Sequence, residues 1–176
     1  MELGTLTQVD DDRWAIHYTR RLAHPIEKVW RAITEPEHLA RWFPSTIDGE
    51  RAAGAPLSFR FDEHTDLDGE MLAFEPPHLM ELRWGEDVLR FTLRSEGDET
   101  VLELTDTTPE LGKTARDGAG WHECLERLTT AVDSRDPDIP LGEVWKAVHP
   151  RYEAAFGPEA STIGPPDRKD PRVDAG

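Results

Sequence analysis

Apolar positions along this chain change their period twice, and the changes divide it into elements. Trp14, Ile16 and Tyr18 alternate with Ala15 and His17, which predicts a strand with one buried face. Pro25 then heads a stripe in which Ile26, Val29, Trp30 and Ile33 recur at i, i+3, i+4 and i+7, the pattern of an amphipathic helix. Thr34 and Glu37 have the spacing of a capping box, and Pro36 fits a first turn. A second short helix is predicted there, carrying Leu39, Trp42 and Phe43 inward.

From about Thr46 the period becomes two. Leu57, Phe59 and Phe61 alternate with Ser58 and Arg60; Gly69 precedes Glu70-Met71-Leu72-Ala73-Phe74, which Pro76-Pro77 ends. Met80, Leu82 and Trp84 form the next run, then Leu89, Phe91 and Leu93, then Leu102 and Leu104. Short strands joined by turns, with no helix between them, predict an antiparallel meander. The face carrying Arg60, Arg83, Arg90, Arg94 and Glu103 should be wet. After Pro109 the helical period returns: Trp121, Cys124, Leu125, Leu128, Ala131 and Val132 hold it for three turns. Asp136-Pro137-Asp138-Ile139-Pro140 breaks that helix, and a further one is predicted from about Gly142, with Trp145, Val148, Tyr152 and Phe156 on one side. The chain therefore divides into a domain at 1–136, an extension with an amphipathic helix at 137–157, and a flexible tail rich in Pro, Gly and charge at 158–176.

Several of these segments are familiar. Val29-Trp30-Arg31-Ala32-Ile33-Thr34, Leu39-Ala40-Arg41-Trp42-Phe43, the Gly69-Glu70-Met71 to Pro76-Pro77 hairpin and Gly120-Trp121-His122-Glu123-Cys124-Leu125 resemble the START-like (SRPBCC) superfamily. More narrowly they are similar to the family named for the activator of heat-shock protein 90 ATPase, over roughly Trp14 to Asp133. The resemblance implies an α+β helix-grip fold: a curved antiparallel sheet of six or seven strands around a long C-terminal helix, with two short helices after the first strand. It also implies an apolar cavity between sheet and helix. The superfamily's tasks are diverse, including lipid carriage, hormone sensing, polyketide cyclisation and chaperone stimulation.

Composition narrows the partners. A net charge of -16 argues against nucleic acid and anionic membranes, which need clustered Lys and Arg. The single cysteine, Cys124, excludes an intrachain disulfide and a thiolate zinc cluster. The start Met1-Glu2-Leu3-Gly4 has no signal-peptide pattern, and no apolar run approaches the ~20 residues of a membrane span, so a cytoplasmic protein is expected.

Trp42, Phe59, Phe61, Met71, Trp84, Phe91, Trp121 and Leu125 are the candidate lining of an apolar pocket, although each also fits plain core packing. His122, about 100° around the helix from Trp121, is the polar candidate at the pocket's margin. The expected function is binding of a small hydrophobic molecule, without catalytic residues, cofactor or metal. A cyclase or aromatase would draw on His122 with Arg60 or Glu70, and a protein-interaction or chaperone-linked module is the third reading. The apolar side of the C-terminal helix fits either a homodimer contact or packing on its own domain.

Overall fold

A computed structural model describes residues 1–136 and 138–165. Seven antiparallel strands lie in the order β1-β2-β7-β6-β5-β4-β3. They are β1 (Thr5–Asp10), β2 (Arg13–Leu22), β3 (Pro56–Arg60), β4 (Asp66–Glu75), β5 (Leu79–Trp84), β6 (Asp87–Glu96) and β7 (Glu99–Thr108). Between β2 and β3 lie the helices α1 (Ile26–Thr34) and α2 (Pro36–Leu39). After β7 come a 3-10 turn at Leu111–Lys113, the long helix α3 (Thr114–Val132) and α4 (Glu143–Phe156). This is the expected helix-grip arrangement.

Period two decides which strand face is dry. Leu57 and Phe59, Met80 and Leu82, and Leu89 and Phe91 turn inward and are buried, while Arg60, Arg90 and Arg94 are exposed on the other face. The inner face is covered by α3, which buries Trp121, Leu125, Leu128 and Val132. That spacing of 4, 3 and 4 residues keeps one stripe on the sheet for three turns. At the end of the sheet where α3 finishes, α1 closes the core with Val29 and Ile33, both fully buried, and His24 Nε2 lies 2.7 Å from Asp133 Oδ1.

Two local expectations need correction. The first strand was unforeseen, because β1 is mostly polar and almost wholly exposed; it exists through its pairing with β2, Gln8 facing Trp14. Thr34 and Glu37 do not form a capping box. The Thr34 hydroxyl instead donates to Trp30 O at 2.7 Å inside α1, and the cap residue Glu35 makes no side-chain capping bond.

The C-terminal helix folds back on its own domain. Tyr152 is fully buried against α3, and an added Cβ at Gly118 would lie 2.9 Å from the Tyr152 ring, so only glycine admits the approach. Glu123 Oε1 accepts from Gly142 N–H at 2.8 Å and Trp145 Nε1 donates to Arg116 O at 3.1 Å. The apolar side weighed for a homodimer is therefore turned onto α3 of the same chain. Of the expected tail, Pro158–Ala160 forms a 3-10 turn with Ala160 buried, and Ile163 N–H donates to Gly112 O at 3.0 Å. These residues are anchored because they pack beside the start of α3; the rest of that segment, from 166, lies outside the described residues.

Candidate functional site

The end of the sheet where α3 begins is built from aromatic rings. Trp84, the last residue of β5, stands at the centre. Its ring centroid is 4.6 Å from Phe59, 5.3 Å from Phe61, 5.3 Å from Phe43 and 5.9 Å from Trp121. Most of these contacts are tilted or edge-to-face, the arrangement that aromatic quadrupoles favour. The chain reaches this packing locally through Gly69, where a Cβ would collide with Arg83 O and the Phe59 ring. Trp84 is half-buried and Phe61, at the end of the row, is 41% exposed. The cluster thus runs from solvent into the core without a break.

The expected lining residues divide. Phe59, Phe61, Trp84 and Trp121 come together at this end, joined by Phe43. Trp42, Met71, Phe91 and Leu125 are buried deeper, in the packed core. Trp42 sets its ring 6.2 Å from Phe91 and donates through Nε1 to Ala32 O at 2.8 Å, which fixes it in place. Two hollows open elsewhere. A groove of about 380 Å³ lies beside Thr34, Pro36, Ile47, Arg51 and Phe74, and one of about 180 Å³ lies on the outer face by His17, Arg90 and Glu103.

His122 is not at this end. It is 1% exposed and points to α4, where Nδ1 lies 2.9 Å from the Tyr152 hydroxyl and Nε2 3.4 Å from Glu126 Oε1. Tyr152 OH also accepts Gly4 N–H at 2.8 Å, so donation from Tyr152 to Nδ1, with the proton of a neutral imidazole on Nε2, uses every donor. Burial, with Arg20 and other nearby positive charge, pushes the His122 pKa down to about 4. The imidazole is therefore neutral at pH 7 and held as part of a buried lock. Arg60 pairs with Asp66 on the wet face, and Glu70 lies across from Pro56 and Arg83 on the same face. The three residues a cyclase would use are thus kept apart. Cys124 is half-buried, and burial, reinforced by Glu123, pushes its thiol up to about 12, which leaves it unreactive.

A polar group that the sequence reading missed lies behind the aromatic rings. Trp121 Nε1 donates to Asp106 Oδ2 at 3.0 Å, and Asp106 is 1% exposed. Asp87 is beside it on the neighbouring strand, 4% exposed, and its Oδ2 accepts from Lys113 Nζ at 2.6 Å. Lys113 also reaches Asp117 Oδ2 at 3.4 Å, and Arg116 Nε holds Asp117 Oδ1 at 2.8 Å. Burial, then the charges of Asp87 and Asp117, hold the Asp106 carboxyl well above the usual carboxylate range. Burial also raises Asp87, against the pull of Lys113. The signal for both was in the alternation: Asp106 follows Leu102 and Leu104 in phase, and Asp87 precedes Leu89 and Phe91 in phase.

Comparison with known proteins follows the same fold. The family described as Activator of Hsp90 ATPase homolog 1-like protein matches residues 23–133. CalU16 from Micromonospora echinospora superposes with a TM-score of 0.71 at 22% identity, over 87% of this chain and 96% of that one. A conserved protein of unknown function from Enterococcus faecalis gives 0.72 at 19% identity, over 86% and 88%. DynU16, described as a putative protein in the dynemicin biosynthetic locus, gives 0.63 at 24% identity, over 72% of this chain and 49% of that one. Likeness at these identities concerns the fold. No curated protein matches the sequence. Among the described residues no helix is long and apolar enough to cross a membrane.

Proposed function

The chain belongs to the Activator of Hsp90 ATPase homolog 1-like family, and from that premise we propose that it is a binding protein for a small aromatic molecule, taken up where Phe43, Phe61, Trp84 and Trp121 meet. The observation that carries this reading is the exposed Phe61 ring on a row of rings that continues into the core. An exposed ring continuous with buried rings offers a flat apolar ligand a stacking face with a path inward. The rings fill the space between α3 and the sheet at this end. Entry of a ligand therefore means displacement of the half-buried Trp84, whose neighbours are rings able to stack on what replaces it.

Binding rather than turnover is supported by the separation of His122 from Arg60 and Glu70, and by the neutral, locked state of His122. The rings that meet here, able to stack on a flat ligand, make fused-ring aromatics the first probes to try. The test is titration with naphthalene- and anthraquinone-class compounds, read by tryptophan quenching and thermal shift, on the wild type and on Trp84→Leu. Saturable quenching that Trp84→Leu weakens is the expected result. A protein that shows neither response across the panel, and is bare in native mass spectrometry, would remove this reading.

A further inference from the structure

The buried acids behind Trp121 hold more negative charge than their partners neutralise. Asp87, Asp106 and Asp117 offer carboxylate oxygens that lie within 4.8 Å of one another. Facing them are two cations: Lys113 from the 3-10 turn, on Asp87 and Asp117, and Arg116 from α3, on Asp117. Among the described residues Asp106 has no cation partner, only the indole N–H of Trp121. Three carboxylates against two cations leave one negative charge in a dry end of the core. Among the described residues two buried oxygens also remain without a hydrogen-bond partner, Asp87 Oδ1 and Asp106 Oδ1.

Buried polar atoms are almost always satisfied, so two orphans on neighbouring carboxyls call for one explanation. A single proton supplies it. It turns one carboxylate into a donor, gives the other the bond it lacks, and brings the cluster to neutrality. A metal ion answers the same charge, but the ammonium of Lys113 already stands among these carboxylates, 2.6 Å from Asp87. A proton needs no room.

We infer that Asp87 and Asp106 share one proton at neutral pH, with Asp106 Oδ1 donating to Asp87 Oδ1, and that this proton latches Trp121 in place at the aromatic end. The strand register supports the pairing. Leu89 of β6 lies opposite Asp106 of β7, and Asp87 is two residues along on the same inward face, so adjacent strands bring the two carboxyls together. With the proton present, Asp106 Oδ2 is free to accept from the indole. Once it is lost, two carboxylates face each other in low dielectric; an ionised Asp106 accepts from the indole more strongly, so Trp121 is freed only as the mutual repulsion drives the Asp106 side chain off its position. The latch therefore opens with rising pH, and it acts on the ring that floors the proposed binding site without depending on that site being used.

Asp106→Asn tests this, because its amide can accept from Trp121 and donate to Asp87 without a titrating proton. Infrared spectra of the wild type at pH 7 should show the C=O stretch of a protonated carboxyl, and Asp106→Asn should lack it while keeping the wild-type circular dichroism. Alkaline titration should shift the tryptophan emission of the wild type and leave that of Asp106→Asn flat. The wild type unfolded in guanidinium at pH 7 should release about one proton per chain, a reading that needs no variant. Absence of the protonated-carboxyl band, a band unchanged in Asp106→Asn, or no proton release would overturn the inference. So would stoichiometric stabilisation by Mg²⁺ or Ca²⁺ that Asp106→Asn abolishes, since a metal would then stand where the proton is placed.

Discussion

Protonation of His122 is the change most directly weighed from the structure. The ring is enclosed by Tyr152, Glu126 and the backbone of α3, with Arg20 and Arg151 as nearby positive charges, and its folded pKa is down at about 4. In the unfolded chain histidine titrates near ~6.5. The unfolded state therefore takes up the proton first, so stability is intact above pH ~6.5, falls as the pH drops, and has lost its full share once the pH passes ~4. A gap of about 2.5 units corresponds to about 3 kcal/mol in total, of which about 2 kcal/mol is gone by pH 5. Asp106, held above its ordinary range, works in the opposite direction over the same interval, because folding then favours the protonated form. The two are separated with His122→Asn, whose side-chain oxygen can accept from Tyr152 but which binds no proton. Guanidinium unfolding of both proteins at pH 7, 6 and 5 should show the wild type losing about 2 kcal/mol relative to the variant. The other six histidines are shared by both chains and cancel. Parallel stability curves would refute the assignment of a buried, neutral His122.

Other substitutions probe the remaining contacts. Gly118→Ala gains helix propensity of about 1 kcal/mol but drives a methyl against the Tyr152 ring, so a net loss of about 1–3 kcal/mol is expected in thermal or chemical unfolding. Trp121→Phe keeps most of the ring packing and leaves Asp106 Oδ2 without its donor; it should lower stability by about 1–3 kcal/mol. Truncation after Asp136 strips α4 from α3 and bares Gly118 and His122, so the melting temperature should fall sharply, and an unchanged value would mean that α4 contributes nothing to the fold. Phe61→Ala, at an exposed ring, should cost no more than about 1 kcal/mol of stability while weakening binding of an aromatic probe several-fold by fluorescence titration.

What could be read from the sequence was whatever an apolar period reports. Ile26, Val29, Trp30 and Ile33 marked α1, and Trp121, Leu125, Leu128 and Val132 marked the sheet-facing stripe of α3, because burial on one face is what those spacings encode. The strands from β3 to β7 were legible for the same reason. β1 carries no such pattern: its two apolar residues, Leu6 and Val9, are three apart and so fall on opposite faces, and only the neighbouring strand makes the segment a strand. Asp87 and Asp106 kept the inward phase, but a carboxylate reads as an end to an apolar run, so the alternation was followed two residues short. His122 was placed correctly beside the stripe and wrongly at an open margin. What covers it, Tyr152, is 30 residues away in sequence, and its arrival depends on how α4 returns. The aromatic residues were named as a set, yet which of them meet at the wet end depended on the tertiary packing of strand ends.

The bond from Gly4 N–H to the Tyr152 hydroxyl spans 148 residues and joins the approach to β1 to α4. It makes the chain a closed ring by a non-covalent clasp, fastened on the same tyrosine that covers His122. Neither β1 nor α4 then frays alone: freeing β1 takes a donor from Tyr152, and lifting α4 leaves Gly4 with an unanswered amide. Hydrogen exchange in β1 and α4 should accordingly rise together, as one cooperative unit, while the strands on the far side of the sheet stay protected.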